Sequence, residues 1–277
     1  MTRILWTTDP HLNHAPVHAW DRWVDRIVSQ HPDALIVTGD ISEGDDVAFQ
    51  LQRMADALGV DIYFILGNHD FYHSSIAETR RGMIELCARH PALHYLTDLP
   101  PVELSPGVFL TGEDGWGDAT RGNYERSPIR LNDFALIREF SDAKPNRWKS
   151  MLQQQGRLSA QRLQKKLEAL PDTAIEVLIA THVPPFRESC WYMGKTTDDD
   201  WAPFFVCGQI GDTLVEHSTK NPQRNLTVLC GHTHHDGVAM LRKNLVVYTG
   251  AAEYGHPDIE SCWLVDHDMI QREPPTK

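Results

Sequence analysis

Five short apolar runs in this chain each stop on residues able to hold a metal ion. ILWTTDPH ends on Asp9 and His11, ALIVTGD on Asp40, and IYFILGNHD on Asn68, His69 and Asp70. VLIATH delivers His182, and LTVLCGHTHH delivers His232 and His234. A buried parallel strand reads as such a run, and in open α/β sheets ligands collect in the crevice beyond the carboxyl ends of the strands. Residues just past those ends are therefore expected to converge. Aspartate offers a charged oxygen, asparagine a carbonyl oxygen and imidazole a nitrogen, a thiolate-free donor set for a hard or borderline divalent cation.

The segments between the runs have helical spacing, the alternation expected of βαβ units. Strands are predicted at 4–8, 34–38, 62–66 and 176–181. One helix follows Pro16, with Val17, Trp20, Val24, Ile27 and Val28 on one face. Another covers 46–58, with Val47, Leu51, Met54 and Leu58 on one stripe and Gly59 as its stop. After a third helical stretch near 74–89, ALHYL, VEL and VFLTG read as short strands that open a second sheet, parted by PP and SPG turns. Residues 112–159 mix glycines, charges and aromatics and read as a mobile or variable elaboration. A polar helical run through Gln153, Gln161 and Lys166 leads back to the strand before His182. From Val238 onward, VAML, LVVYTG and CWLVDHDM read as an antiparallel continuation of the second sheet.

A length of 277 residues and 41% hydrophobic content suit one large α/β domain. The formal net charge of -12 argues against nucleic-acid binding through a basic face. Five cysteines (Cys87, Cys190, Cys207, Cys230 and Cys262) form no CxxC pair and are odd in number, which excludes a disulfide framework. The chain enters ILWTT without an apolar leader and holds no run of about eighteen apolar residues, so a soluble cytoplasmic protein without a membrane partner is expected.

In order, TTDPHLNH, VTGDISEG, LGNHD, ATHVPP and CGHTHH resemble the motifs of the calcineurin-like metallophosphoesterases, over roughly residues 4–250. Each piece alone is common, whereas the ordered set of five is specific. The resemblance implies an α/β fold, a four-layer α/β/β/α sandwich with two central mixed β-sheets flanked by helices, and a two-metal centre at one edge. It implies a single domain over 1–277 with substrate-shaping elaborations near 112–160 and 184–216.

Carried over residue by residue, the resemblance makes Asp9, His11, Asp40 and His234 ligands of one metal. Asp40 bridges to a second metal held by Asn68, His182 and His232. The cofactors it implies are two divalent or mixed-valence ions, with Mn, Fe, Zn and Co suiting the donors about equally. The implied reaction is hydrolysis of a phosphomonoester or phosphodiester by in-line attack of a metal-bridging hydroxide. His69 faces the substrate, either as general acid or as a stabiliser of the phosphoryl oxygens. Glu43 stands where relatives commonly place an aspartate that orients this histidine, and here the side chain is one methylene longer. Asp70 is expected to hold the GNHD loop by hydrogen bonds, and Gly39, Gly67 and Gly231 to serve tight turns and close backbone approach.

A small phosphoester is the expected partner. Two other readings stay open, a nuclease built on a related two-metal centre and a non-catalytic scaffold of the same fold. Trp116, Tyr124, Trp191, Tyr192 and Trp201 are candidate pocket walls, and Arg121, Arg130, Arg187 and Lys195 candidate phosphate contacts. His14, His73, His235 and His256 are assigned to surface or supporting positions, and Asp198, Asp199 and Asp200 to a solvated loop.

Overall fold

The computed structural model describes residues 1–273. Its first sheet is laid down by β1 (Thr2–Thr7), β2 (Ala34–Thr38), β3 (Asp61–Ile65) and β4 (Leu93–Tyr95), joined by helices α1 (Val17–Ser29), α2 (Asp46–Leu58) and α3 (Ile76–Arg89). These four strands are parallel, as right-handed βαβ crossovers require. The helix ends follow local chemistry. Gly59 closes α2 at φ 64, a left-handed turn that costs glycine nothing. Ser75 caps α3 by accepting the Glu78 N–H, worth about 1 kcal/mol.

The second sheet uses β5 (Val102–Ser105), β6 (Val108–Glu113) and β7 (Glu176–Thr181). A two-residue-arm hairpin, β8 (Trp191–Tyr192) and β9 (Lys195–Thr196), stands apart. The sheet continues with β10 (Asn225–Cys230), β11 (Gly237–Arg242) and β12 (Leu245–Thr249). Its order is β11-β12-β10-β7-β6-β5, with antiparallel edge strands flanking a parallel centre.

The last two strands, β13 (Ser261–Asp266) and β14 (Met269–Glu273), depart from the sequence reading. They do not extend the second sheet. β13 lies antiparallel beside β1, so the first sheet runs β14-β13-β1-β2-β3-β4. Alternation along CWLVDHDM specifies a strand but not its neighbour, and the register Leu5 to Cys262 is fixed only by the packed sheet.

Strand periodicity builds the layers. Ile4, Trp6, Ile36 and Ile65 point inward against Leu110, Leu178, Ala180 and Leu229 of the facing sheet. Leu5, Leu35, Val37 and Phe64 point outward and are covered by Trp20 and Trp23 of α1 and Leu51 and Met54 of α2. Val177, Ile179, Val228 and Val247 are covered by the helices Pro145–Glu168, through Leu163 and Leu167, and Gly208–Lys220, through Ile210 and Leu214. The result is a helix, sheet, sheet, helix sandwich of two mixed sheets. Two details differ from the sequence reading. The buried face of α1 is Ala19, Trp20, Trp23 and Ile27, leaving Val17 and Val28 exposed. From Pro145 the expected elaboration becomes a 24-residue helix packed on the second sheet. None of the described helices is long and apolar enough to cross a membrane.

Candidate metal centre

Every motif residue leaves the carboxyl end of a parallel strand, and the two sheets bring those ends to one edge. β1 delivers Asp9 and His11, β2 delivers Asp40, β3 delivers Asn68, β7 delivers His182, and β10 delivers His232 and His234. Two groups of donors form there, Asp9, His11, Asp40 and His234 in one and Asp40, His182 and His232 in the other, each with its donor atoms within 4.8 Å of one another. Asp40 belongs to both. Asn68 joins the second group, its Oδ1 3.3 Å from His182 Nε2.

The backbone is bent out of its ordinary range to do this. Asp9, His11, Asp40, His232 and His234 all sit at φ between 40 and 69, the left-handed region that non-glycine residues avoid. Each such residue costs ~1–3 kcal/mol, and such strain concentrates where function holds it. Glycine is required at the closest crossings. A Cβ on Gly67 would overlap the Asp40 carboxylate and stand 2.7 Å from the His182 ring, and one on Gly231 would overlap Asp9 and Thr8.

Hydrogen bonds choose which atoms face the site. The His69 N–H donates to Asp40 Oδ1 at 2.9 Å, leaving Oδ2 3.3 Å from His182 Nε2 and 3.8 Å from His11 Nε2. The His232 N–H donates to both Asp9 oxygens at 3.0 and 3.1 Å. His182 Nδ1 donates to the Thr38 carbonyl at 2.9 Å, which turns Nε2 toward Asp40 Oδ2 and Asn68 Oδ1. His232 Nε2 faces the Phe204 carbonyl at 3.3 Å, which frees its Nδ1. Asp70 behaves as expected of a loop anchor. It accepts the Ile41 and Ser42 N–H groups on Oδ1 and the Gly67 N–H on Oδ2.

The electrostatics call for a cation. His11 Nε2 and His234 Nε2 stand 3.1 Å apart, and His11 Nδ1 is buried with no hydrogen-bond partner. Burial acts to raise the Asp40 carboxyl, yet His182 and His69 hold it well below the ordinary range. Burial acts to lower His182, and the Asp40 and Asp9 carboxylates overcome it, lifting the imidazole to about 10. Burial drives His232 down to about 3, helped by His182, and drives His11 down to about 4 against the pull of Asp40 and Asp9. The two buried carboxylates thus favour a proton on His182 and also raise His234, while burial holds His11 and His232 toward their neutral forms. That donor set fits divalent cations.

His69 stands beside the donors with its ring 4.8 Å from His11 and 4.4 Å from Tyr72. Its Nδ1 makes no hydrogen bond, and Glu43 Oε1 lies 3.7 Å away. The other Glu43 oxygen is 3.6 Å from His73 Nε2.

Three residues absent from the sequence reading of the site complete it. Asp133, buried at the first position of the short helix Asp133–Leu136, accepts both Asn68 Nδ2 and the Tyr72 hydroxyl at 2.9 Å. Burial pushes the Asp133 carboxyl up, and the two hydrogen bonds restrain it. Tyr254 places its ring 4.4 Å from His11 and 5.1 Å from His234. No periodicity marks any of the three; only GNHD, whose Asn68 lies four residues before Tyr72, hinted at that neighbourhood.

A cavity of about 930 Å³ opens over Asp40, Asn68, His69, His232 and His234. Trp191, Tyr192, Trp201, Lys195 and His235 line it. The other nominated residues do not. Trp116 is buried against Phe71 and Phe140, and Tyr124 packs on Phe204. Arg121 pairs with Asp212, Arg187 pairs with Asp199, and Arg130 donates to the Ser127 and Ile129 carbonyls. Asp198 accepts the Asp200 and Trp201 N–H groups, a loop role rather than a further metal site.

The sequence model of one family, calcineurin-like phosphoesterase, matches residues 2–236. No curated protein matches the sequence. Among solved structures, a phosphopantetheinyl hydrolase from Mycobacterium tuberculosis is 15% identical and superposes with a TM-score of 0.66, over 92% of this chain and 90% of its own. A dimetal phosphatase from Danio rerio is 13% identical with a TM-score of 0.62, over 100% and 97%. The Thermus thermophilus protein TT1561 is 16% identical with a TM-score of 0.54, over 99% of each chain. At these identities the likeness is one of fold.

Proposed function

The chain belongs to the calcineurin-like phosphoesterase family, and from that membership we propose that it hydrolyses a phosphomonoester or phosphodiester of a small molecule with two bound cations. The observation that carries the reading is the pair of donor clusters sharing Asp40. Asp9, His11, Asp40 and His234 would hold one cation, and Asp40, His182 and His232 with Asn68 the other, Mn²⁺, Fe, Zn²⁺ and Co²⁺ all being compatible with these donors. When bound, such a pair neutralises charge on a phosphoryl group and lowers the pKa of coordinated water.

The side chains around the centre orient the reactants. The His69 and His232 N–H groups fix the Asp40 and Asp9 carboxylates, so neither can swing as charge shifts. Asp133 and Tyr72 fix the Asn68 amide. His69 carries a proton to the departing ester oxygen, while Glu43, facing its Nδ1, orients the ring. In the net reaction the water oxygen joins phosphorus, the P–O bond to the alcohol breaks, and the alcohol leaves with a proton.

The test is turnover of p-nitrophenyl phosphate and bis-p-nitrophenyl phosphate by metal-stripped protein reloaded with Mn²⁺, beside the His69→Ala variant. Metal-dependent hydrolysis that falls in the variant supports the reading, and the better ester tells monoesterase from diesterase. Failure to hydrolyse either ester with Mn²⁺ demonstrably bound counts against it.

A further inference from the structure

The cavity over the centre is far larger than a phosphoryl group needs, and at about 930 Å³ it reaches the upper end of small-ligand sites. Its walls change character with distance from the donors. The Phe205 ring lies 4.3 Å from that of His232, and the Trp201 ring stands edge-on 5.4 Å beyond it, so one aromatic wall runs outward from a candidate ligand. The same cavity is lined by the β8–β9 hairpin, which carries Tyr192, whose ring meets His235 at 4.8 Å, and Met193 at its tip. Tyr192 is 62% exposed, Met193 74% and Trp201 43%. Large apolar side chains held in water at the mouth of a polar site are surface awaiting a ligand.

Charge narrows the choice. Among the described residues, Lys195 is the one lysine or arginine in the cavity lining, whereas Asp133 and Asp198 add negative charge to it. A second phosphate, or a nucleic-acid backbone, finds no cationic cradle beyond that lysine.

Resting on the phosphoesterase reading, we infer that the substrate carries a single phosphoryl group on a large, flat, uncharged aromatic body, which lies between the Phe205–Trp201 wall and the Tyr192–Met193 hairpin. Flat rings stack on flat rings with offset or edge-on geometry, and two exposed aromatic walls admit such a body at small entropic cost. Hydrolysis then releases the aromatic alcohol outward through the mouth and leaves phosphate at the centre.

Two non-hydrolysable phosphonates separate this claim from the reading beneath it. Binding of methylphosphonate and 1-naphthylmethylphosphonate to Mn²⁺-loaded protein is measured by calorimetry, with tryptophan fluorescence as a second readout. The naphthyl compound is expected to bind at least about tenfold more tightly and to quench fluorescence. The gap should shrink to about twofold in the Tyr192→Ala/Trp201→Ala double variant and largely persist in Trp201→Phe, which keeps a flat ring. Equal affinity of the two compounds, or an unchanged gap in the double variant, overturns the aromatic subsite and leaves the phosphoesterase reading standing. If neither compound binds while Mn²⁺ is counted on the protein, the phosphoesterase reading falls and the inference with it.

Discussion

The carboxylate of Asp133 accepts the Asn68 side-chain amide N–H at 2.9 Å, and that single contact decides which way Asn68 faces. A carboxylate only accepts, so the amide nitrogen must turn toward it and Oδ1 must turn toward His182. The Tyr72 hydroxyl, donating to the same oxygen at 2.9 Å, leaves Asp133 no freedom to release the amide. Asp133→Ala should therefore weaken one of two bound Mn²⁺ ions by ~10–100-fold and spare the other. Calorimetric titration of stripped protein reads this directly, and two unchanged sites would contradict it.

His69 touches the cavity yet lies outside both donor groups. His69→Ala should lower kcat by ~10²–10⁴-fold with bound Mn²⁺ unchanged. Glu43→Ala should cost less, because Glu43 acts only through the ring it faces at 3.7 Å. Steady-state kinetics beside metal analysis checks the order.

Gly67 is where the β3 turn crosses Asp40 and His182. Gly67→Ala should destabilise the protein by ~1–3 kcal/mol and abolish binding of both ions, since Asp40 serves both groups. Denaturant unfolding and metal content together test it. A variant that keeps two ions would show that the loop has room the structure does not contain.

Glu260 reports on the charge packed behind the centre. Burial, then the Asp258, Asp9 and Asp236 carboxylates, raise it to about 7, while the Ala251 N–H pulls the other way. Between its unfolded value near 4.5 and about 7, the native state holds a proton that the unfolded chain has lost. Its contribution to stability is thus complete below the lower value and lost as pH rises through the upper one. In metal-stripped protein, Glu260→Gln should gain ~1–3 kcal/mol relative to wild type between about pH 5 and about pH 8. Chemical denaturation at the two pH values checks the sign, and no relative change would contradict it.

Much of this was legible because a buried parallel strand is short, apolar and ends abruptly. That pattern located Asp9, Asp40, Asn68, His182 and His232 without any tertiary information. The left-handed backbone at Asp9, His11, Asp40, His232 and His234 was not legible, since side-chain type gives little sign of strain held by surrounding structure. Asp133, which opens a one-turn helix, and Tyr254, from an irregular loop, lie in sequences with no period, and only the closed fold sets them against Asn68 and His11. Trp116 illustrates the opposite error. An aromatic in a glycine-rich loop suggested a pocket wall, but its ring is buried between Phe71 and Phe140. The return of β13 to β1 escaped for a related reason, because pairing between residues 5 and 262 leaves no local trace.

Two cations that share the Asp40 carboxylate should both depend on it, and the number of ions bound per chain reads that dependence. Stripped wild-type protein, Asp40→Asn, and the Asn68→Ala/His232→Ala double variant are each dialysed against Mn²⁺ and analysed for bound metal per chain. Two ions are expected on the wild type, one on the double variant, and no tightly held ion on Asp40→Asn. A single ion on the wild type, or two ions that survive loss of the Asp40 carboxylate, would contradict that sharing.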